Sequence, residues 1–228
     1  RRADSTMTTA IETNLSGAPR RVRWIATALG FAAGLPYALL IGSLTAWLSN
    51  AEVSFGAIAA LSWIGLFYAF KFIWAPLFDW LVPPFANTVG RRRAWMALCQ
   101  IVIALCLFGM TLFDPRVSIT AFALFAVVAA FFSASQDIVI DAWRIETAQD
   151  SAQLDQLTVR YQLGYRLAAI VGGAVALLLA DIYALASDKA AGWPGIYAGM
   201  AVLMGFAVFA SLAAPEPLLT PKPQTAAT

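Results

Sequence analysis

The sequence predicts an all-α membrane protein with six transmembrane helices. Hydrophobic residues make up 61% of the 228 positions and charged residues only 12%, which is far from the balance of a soluble domain. Apolar runs of about 20 residues recur, and this is the length that a helix needs to cross the hydrocarbon core. The runs are apolar on every side, whereas the strands of a membrane β-barrel alternate in polarity over about 10 residues.

Six apolar runs follow one another along the chain, and each predicts one spanning helix. They cover residues 24–49, 57–81, 94–113, 118–142, 157–180 and 193–214. Residues 1–23 are expected to be a cytoplasmic segment in which Met7 begins a plausible start. Pro215 and Pro217 stop the sixth helix, so residues 215–228 are expected to begin a cytoplasmic linker.

The first span is predicted to be a retained helix rather than a signal peptide. Its apolar run of about 26 residues exceeds the 7–15 residues of a signal sequence. Gly30 and Gly34 lie in this span, and Gly164, Gly172 and Gly173 lie in the fifth. Small residues at such positions let helices approach closely or kink, and close packing is the favoured interpretation.

The distribution of Lys and Arg predicts that both termini are cytoplasmic. With the N-terminus inside, eleven cations fall on inner segments and only Arg116 and Lys189 fall on outer loops. This asymmetry follows the positive-inside rule. The net charge of +2 therefore reflects topology, and no nucleic-acid surface is predicted. Tryptophans near span ends agree with this arrangement because their rings prefer the headgroup region; they are Trp24, Trp47, Trp80, Trp95, Trp143 and Trp193.

Residue types exclude several chemistries. The chain has no His, so a Ser-His-Asp triad, an ordinary zinc site and an imidazole proton shuttle are not expected. Cys99 and Cys106 lie about 10 Å apart along one helix, which is too far for a disulfide. A phosphate-binding GxxxxGK[ST] motif is absent from the sequence. We therefore expect no enzyme activity, no metal and no cofactor.

Four ionisable residues lie within apolar spans, where a charge is costly and normally faces the protein interior or a watery cavity. They are Asp137 and Asp141 in the fourth span, Lys71 in the second and Arg166 in the fifth. Counted at about 1.5 Å per residue, Asp137, Arg166 and Lys71 lie at similar depths. Two anions and two cations can neutralise each other where their helices meet.

A polar stripe runs along one face of the fourth span. Ser133, Asp137, Asp141 and Arg144 are spaced four, four and three residues apart, and Gln136 lies about 100° to the side. One interpretation is a proton or substrate path in which Asp137 binds and releases a proton. The alternative is an ion pair with a cation of another helix, which only clamps the bundle. Asp141 can also pair with Arg144 on its own helix.

The two intramembrane cations have alternative roles as well. Lys71 either snorkels from its helix or binds a substrate anion or Asp137. Arg166 has Tyr161 and Tyr165 within the same turn and a half, a mixture that can stack on and hydrogen-bond a sugar or peptide. Packing with an ion pair is the other interpretation. Because Tyr165 faces differently from Arg166, only part of this cluster can face a cavity.

Several segments resemble the AmpG-type muropeptide permeases of the major facilitator superfamily, over about residues 24–214. The most specific are SASQDIVIDAWR at 133–144 and the later GYR at 164–166. The others are GFAAGLPYALL (30–40), FKFIWAPLFD (70–79), PPF (83–85), GRRRAWM (90–96), LGYRLAAIVGGAVALLLAD (163–181) and GWPGIYAGMAVLM (192–204).

The resemblance implies a proton-driven importer that brings anhydro-muropeptides across the inner membrane of Gram-negative bacteria for cell-wall recycling. It implies that Gln136, Asp137 and Asp141 are important for transport. The basic run at residues 91–93 is by itself typical of a solvated topology determinant. In the family context a cluster of gating charges is expected at the cytoplasmic end, formed by Asp79, Arg91, Arg92, Arg93 and Arg144.

The implied fold is the N-terminal half of a transporter whose two six-helix halves surround a midplane site, each half being an inverted repeat of three helices. The expected partners are membrane lipid, protons, a muropeptide-like substrate and a missing C-terminal half or second half-transporter. One alternative is a carrier of another amphiphilic anion, such as a peptide conjugate or an acyl-CoA, with different cavity-lining aromatics at Tyr37, Tyr68 and Trp63. A non-transporting membrane assembly module is another.

Overall fold

The computed structural model describes residues 17–185 and 188–217. Within these residues six helices are long and apolar enough to cross a membrane. They are α1 (Arg20–Asn50), α2 (Phe55–Ile73), α3 (Arg91–Met110), α4 (Ile119–Thr147), α5 (Ser151–Tyr183) and α6 (Trp193–Ala213). The prediction of an all-α membrane protein with six spans is confirmed. Met7 and most of the predicted terminal segments lie outside the described residues.

Several helix ends differ from the predicted ends. The fourth helix continues to Thr147, beyond the predicted end at residue 142, and α5 begins at Ser151 instead of 157. Asp150 caps α5, because its carboxylate accepts a hydrogen bond from the backbone N–H of Gln153 at 2.8 Å. Hydropathy marks where a span leaves the apolar layer, whereas the helical hydrogen bonds continue past that level.

The second span is interrupted rather than continuous. It consists of α-helical turns at Phe55–Ser62 and Gly65–Phe70, followed by a 3₁₀ turn at Lys71–Ile73. A short helix, Ala75–Trp80, then carries the chain to its end, with Pro76 in its first turn. Proline lacks a backbone N–H and is tolerated at a helix start, so the break falls directly before it. The prediction of one continuous helix over residues 57–81 is therefore wrong.

Glycines bring α1 and α5 into backbone contact. A Cβ atom added at Gly30 would lie 2.0 Å from the carbonyl oxygen of Tyr161, and one added at Gly164 would lie 1.9 Å from the carbonyl oxygen of Thr27. Any side chain at these positions would force the helices apart. The predicted role in close packing is confirmed for Gly30 and Gly164. It is wrong for Gly173, where an added Cβ would meet nothing within 4 Å.

Both of these helices contain a π-helical stretch, at Ala38–Ser43 in α1 and Ile170–Val175 in α5. The two stretches contact each other. The hydroxyl of Ser43 donates a hydrogen bond to the carbonyl oxygen of Gly172, which lies in the other stretch. Pro36 precedes the first stretch, and the Gly172-Gly173 pair lies within the second. The wide turns therefore form where proline or glycine weakens the regular helical ladder.

The core contains aromatic side chains that the sequence placed at the membrane surface. Trp47, Trp95, Trp143 and Trp193 are all buried within the bundle. The Trp47 ring meets Phe122 edge-on at 4.9 Å between centroids, and the Tyr197 ring centroid lies 4.6 Å away. The prediction that the rings of these four tryptophans face the headgroup region is wrong, because neighbouring helices enclose them. Trp24 and Trp80 are exposed, as predicted.

Candidate functional site

Charges from α2 and α4 form a short row inside the spans. The ammonium of Lys71 lies 3.4 Å from Asp137 Oδ2 and 4.0 Å from Asp141 Oδ2. The second carboxylate oxygen of Asp141 accepts a hydrogen bond from Arg144 at 2.6 Å. The row therefore alternates in sign from Asp137 through Lys71 and Asp141 to Arg144. Among the cations that the sequence offered to Asp137, the structure selects Lys71.

The break in α2 positions Lys71. This residue is the first of the 3₁₀ turn. Three residues later, Trp74 Nε1 donates a hydrogen bond to Ser135 Oγ at 3.2 Å, and its ring packs 5.4 Å from that of Phe131. Ser135 in turn donates to the carbonyl oxygen of Phe131 at 2.8 Å. Trp74 thus fixes the broken end of α2 against α4, with Lys71 facing the two aspartates.

Polar groups beside this row have uncommitted hydrogen-bonding capacity. Asp137 is only 8% exposed, and its Oδ1 atom has no hydrogen-bond partner among the described residues. Gln136 is fully buried, and neither its amide oxygen nor its amide nitrogen has a partner within the same residues. Buried polar atoms are usually satisfied, so unsatisfied ones on adjacent residues mark a place where water, a proton or a ligand completes the bonding.

Tyrosines from three helices form a second row next to the charges. The ring of Tyr37 on α1 meets that of Tyr68 on α2 edge-on, with 4.9 Å between centroids. On its other side Tyr37 lies 6.0 Å from Tyr165, which lies 6.1 Å from Tyr161, both on α5. Tyr68 also lies one helical turn before Lys71 in the sequence. This tyrosine row therefore joins α1, α2 and α5 at the level of the charges.

Arg144 connects the charge row with the tyrosine row. Its guanidinium carbon lies 4.4 Å from the centroid of the Tyr161 ring. A cation over an aromatic face is attracted by the ring quadrupole. Two guanidinium nitrogens of Arg144, Nε and Nη1, have no partner among the described residues. We call the charge row and the tyrosine row together the polar site; it is formed by α1, α2, α4 and α5.

Arg166 lies outside the ion pairs of the polar site. It is exposed and makes no ion pair within the part of the chain that the structure describes, although its neighbour Tyr165 belongs to the tyrosine row. Each residue turns a helix by about 100°. Because α5 buries Gly164 and Ala168 against α1, Arg166 projects from the other side. The Asp137–Arg166 pairing that the sequence left open is therefore not formed.

A second charge cluster lies at the arginine-rich end of the bundle. Arg92 is buried and pairs with Asp79 Oδ1 at 3.0 Å and with Glu146 through its Nε at 2.9 Å. Arg91 donates to the carbonyl oxygen of Asp79 at 2.6 Å. The loop between the second and third spans is thus bound to the end of α4. The predicted cluster at this end forms, with Arg92 at its centre.

Arg144 does not join this second cluster, although it was predicted there. It lies two residues before Glu146, and residues two apart point to opposite sides of a helix. Glu146 therefore reaches Arg92, whereas Arg144 turns towards Asp141 and Tyr161. The prediction groups Arg144 with the gating charges; the structure assigns it to the polar site.

Glu216 contributes to the second cluster and was missed in the sequence. Its two carboxylate oxygens accept hydrogen bonds from the backbone N–H groups of Arg92 at 2.8 Å and Arg93 at 3.2 Å, at the start of α3. The Glu216 side chain lies against Gly90, whose φ of +98° favours glycine. Trp143 Nε1 also donates to the carbonyl oxygen of Pro215 at 2.8 Å. We call residues 215–217 the strap.

A signal for the strap was present in the sequence. An acidic residue between two prolines cannot continue a helix, and an acidic side chain is favoured at a helix N-terminus. The start of α3 carries three arginines and no acidic residue in its first turn. Such a start attracts an anion from elsewhere in the chain. The contact of Glu146 with Arg92 was harder to predict, because Glu146 lay beyond the predicted end of the fourth span.

Two further observations delimit the polar site. No group of three or more metal-ligating side chains occurs within residues 17–185 and 188–217. A cleft of about 700 Å³ lies between α5 and α6 and is lined by apolar residues such as Val175, Leu179 and Ile196. None of the predicted site residues lines that cleft. The ionisable and tyrosine side chains of the polar site therefore lie where α1, α2, α4 and α5 meet, away from this cleft.

Comparisons with known proteins agree with this architecture. A family model described as Acetyl-coenzyme A transporter 1 matches residues 24–115. The Anhydromuropeptide permease of Escherichia coli strain K12 is 42% identical over 200 residues, which cover 86% of this chain and 38% of the relative. An uncharacterized protein of Haemophilus influenzae is 37% identical over 80% of the chain and 40% of its own length.

A Rickettsia conorii protein with the name "Putative transporter AmpG 4" is 33% identical over 68% of this chain and 37% of its own length. The chain thus spans about two fifths of the length of these curated relatives. The names of the Escherichia coli and Rickettsia conorii relatives denote a permease and a transporter rather than enzymes. Over the part of those proteins that it matches, this multi-pass membrane chain belongs to the AmpG-type permease family.

Proposed function

We propose that this chain is one half of a proton-coupled permease that imports anhydro-muropeptides across the bacterial inner membrane. The observation that carries the proposal is the polar site, in which Lys71 lies between two carboxylates inside apolar spans. Ionisable groups at this depth normally mark a proton or substrate pathway. The substrate class is taken from the name of the Escherichia coli relative.

A change of partner at Lys71 is the proposed coupling step. When Asp137 is ionised, it holds Lys71 at 3.4 Å, and Asp141 lies slightly farther from the same ammonium. A proton that binds Asp137 neutralises that carboxylate and weakens its hold on Lys71. Lys71 then turns towards Asp141 or towards an anionic group of the substrate. Proton binding and substrate binding are linked because they compete for one cation.

The tyrosine row provides the proposed surface for the sugar and peptide parts of the substrate. Tyr37 and Tyr165 present rings between α1 and α5, and each ring offers both an apolar face and a hydroxyl. Arg144 and Arg166 add cations for carboxylate groups. Arg166 is exposed in this half, so its proposed role requires a surface opposite it that completes the cavity.

We propose that this surface is a second six-helix unit that covers α2 and α5. Only 11% of the apolar window of α2 and 28% of that of α5 are buried, against 67% for α1. Both helices carry polar-site residues, so a partner that covers them also closes the site. The missing C-terminal half fits this role, and a second copy of the chain is the alternative.

The proposed orientation places both ends of the described chain in the cytoplasm. Arg20, Arg23 and residues 91–93 lie at the same end of the bundle as Glu216. Arg116 and Asp188 lie in loops at the other end. An excess of cations at one end favours the cytoplasmic side. Substrate uptake would then proceed from the Arg116 side towards the Arg92 side.

Uptake by cells that lack their own muropeptide permease tests the proposal. The chain would be expressed alone and joined to the part of the Escherichia coli permease that it does not cover. We expect labelled anhydro-muropeptide to accumulate only with the joined protein, and only under an inward proton gradient. Asp137→Asn should abolish this uptake while membrane insertion is retained. Asp155→Asn is the matched control, since Asp155 is exposed and makes no ion pair among the described residues.

Each outcome bears on a different part of the proposal. Uptake by the chain alone would mean that two copies suffice and would contradict the requirement for a C-terminal half. Unchanged uptake by Asp137→Asn would contradict the proton pathway. Absence of uptake from every version, the joined protein included, is the result expected of a non-transporting assembly module.

A second substrate class follows from one specific observation. The acetyl-coenzyme A transporter model matches residues 24–115, which include Tyr37, Tyr68 and Lys71. An acyl-CoA is also an amphiphilic anion. We expect an excess of unlabelled acetyl-CoA to leave muropeptide uptake by the joined protein unchanged. Competition by acetyl-CoA at equal concentration would favour the acyl-CoA carrier instead.

A further inference from the structure

A cationic surface at the arginine-rich end of the bundle has no role in the polar site or the second charge cluster. Arg20, Arg23 and Trp24 occupy neighbouring positions of the first two turns of α1. Arg160 on α5 places its guanidinium 5.9 Å from the centroid of the Trp24 ring. We call these four residues the basic face.

The arginines of the basic face differ from the others at this end. Arg91, Arg92 and Arg93 pair with carboxylates from three other segments, at Asp79, Glu146 and Glu216. In contrast, Arg20, Arg23 and Arg160 make no ion pair within the part of the chain that the structure describes. Neighbouring cations repel one another, so an unpaired cluster favours the binding of an anion.

The start of α1 adds to this preference for an anion. Pro19 precedes the helix and provides no side-chain hydrogen bond to its first N–H groups. The first turn contains no acidic residue. The first N–H groups of the helix and its dipole therefore also favour negative charge at this point. This arrangement contrasts with α3, where Glu216 already fills the same position.

The surroundings of the basic face indicate the source of the anion. Trp24 is 58% exposed, and an exposed indole at the end of a spanning helix belongs in the headgroup region. Next to Arg160, Val159 and Leu163 are exposed apolar residues of α5. A phosphate at the arginines would thus lie above an apolar surface that an acyl chain can cover. A free phosphate ion would gain nothing from that surface.

We propose that the basic face is a binding site for an anionic phospholipid, with the headgroup phosphate held between α1 and α5 and an acyl chain along Val159 and Leu163. Headgroup binding here would also hold the ends of the two helices together at the membrane surface. The site is separate from the polar site, so the proposal does not depend on the transported substrate.

Lipid binding by the purified chain tests this proposal. The chain in neutral detergent would be titrated with dioleoyl phosphatidylglycerol or dioleoyl phosphatidylcholine, and bound lipid would be counted by native mass spectrometry. We expect preferential retention of phosphatidylglycerol. Arg23→Gln and Arg160→Gln should each weaken its binding about fivefold, the effect of losing one cation near a phosphate. Arg160→Lys, which keeps the charge, should bind nearly as well as the wild type.

Lys189→Gln is the matched control, because it removes one exposed cation from the opposite end. Circular dichroism of each variant establishes that the helices are retained. Equal retention of the two lipids, or an equal loss with Lys189→Gln, would overturn the proposal. So would displacement of phosphatidylglycerol by millimolar inorganic phosphate, which would identify a site for the free ion. None of these results depends on transport, so failure here is distinguishable from failure of the proposed function.

Discussion

Lys71 is the cation shared by the two intramembrane carboxylates. Its ammonium lies within 4.0 Å of both Asp137 and Asp141, and it is the only one of these three groups contributed by α2. Taking paired charges out of water is costly, and removal of one partner leaves the other uncompensated. The energetic role of Lys71 therefore depends on whether Asp137 remains charged.

A double-mutant cycle measures this dependence. We expect Lys71→Met to lower the free energy of unfolding, because Asp137 loses its counter-ion. Lys71→Met combined with Asp137→Asn should lose less than the sum of the two single variants, with a coupling energy of about 1–2 kcal/mol. Chemical unfolding of the purified chain in detergent provides the four values. Additive losses would show that the two groups do not act as a pair.

The sequence was informative about single residues wherever the cost of burial was high. Lys71, Asp137 and Asp141 could be predicted as a group because charges in apolar spans must find partners. The positions of Tyr37 and Tyr68 in the tyrosine row could not be predicted, because an aromatic side chain costs little free energy whether it lies in the protein interior or in lipid. The Arg144 contacts with Asp141 and Tyr161 depend on how α4 is rotated, which one-dimensional spacing specifies only partly.

At the scale of helices, α1 and α5 are in direct backbone contact. The glycines at this contact allow it to be tested by substitution. Gly164 and Gly30 place each helix directly on the backbone of the other. Gly173 lies on the same helix as Gly164, but a Cβ added there meets nothing within 4 Å. The two α5 glycines thus form a natural pair for comparison.

We predict that Gly164→Ala lowers the free energy of unfolding by about 2 kcal/mol or more, because the new methyl group must displace the backbone of α1. Gly173→Ala should leave it within about 0.5 kcal/mol of the wild-type value. Thermal unfolding in detergent, followed by circular dichroism at 222 nm, distinguishes the two. Equal effects of both substitutions would contradict the close approach at Gly164.

The strap is a second helix-scale feature, because Glu216 connects the end of α6 with the start of α3. We predict that Glu216→Gln lowers the free energy of unfolding by about 1–2 kcal/mol, since a neutral amide binds the helix N-terminus and Arg93 more weakly. Asp181→Asn, at an exposed carboxylate without an ion pair among the described residues, should have no measurable effect. A Glu216→Gln variant as stable as the wild type would rule out this contribution.

Helix existence and order could be predicted from the sequence, because each span needs about 20 apolar residues. Helix ends and breaks could not. The extension of α4 to Thr147 brings Glu146 to Arg92. Hydropathy cannot predict that contact, because the added residues lie beyond the apolar run. The break at Lys71 follows from Pro76. It was not predicted, because the sequence around it is an almost continuous apolar run that is typical of one spanning helix.

At the scale of the whole molecule, the two ends of the bundle are held together differently. The arginine-rich end is joined by the second charge cluster and the strap. At the other end, Arg116 in the loop before α4 binds Asp188 in the loop before α6, with Nη1 3.0 Å from Oδ2. Arg116 also donates to the carbonyl oxygen of Ala51, after α1. One exposed arginine therefore connects three loops.

This loop connection predicts a pH dependence. Arg116 lowers the pKa of the Asp188 carboxyl below its ordinary value, chiefly through a side-chain hydrogen bond. A lowered pKa in the folded state means that the pair stabilises the fold above the unfolded pKa of about 4 and ceases to do so as pH falls through the folded value. The melting temperature of Asp188→Asn should lie below that of the wild type by a constant amount from pH 8 to about pH 5.

The difference between the two proteins should then shrink at more acidic pH. High salt should reduce it at every pH, because the pair is exposed to solvent. A difference that persists unchanged below about pH 3 would show that Asp188 acts through its shape rather than its charge.

Conversion of the 3₁₀ turn at Lys71–Ile73 into an α-helix would change the length of the second span. A 3₁₀ helix rises about 2.0 Å per residue and an α-helix about 1.5 Å, so conversion of three residues would shorten the span by about 1.5 Å. The same conversion would rotate one side of the break against the other by about 60°, since the two helices turn by about 120° and 100° per residue. Lys71 is at the start of that turn, so a screw motion of this size would change the distances from its ammonium to Asp137 and Asp141 while the flanking helices stay intact.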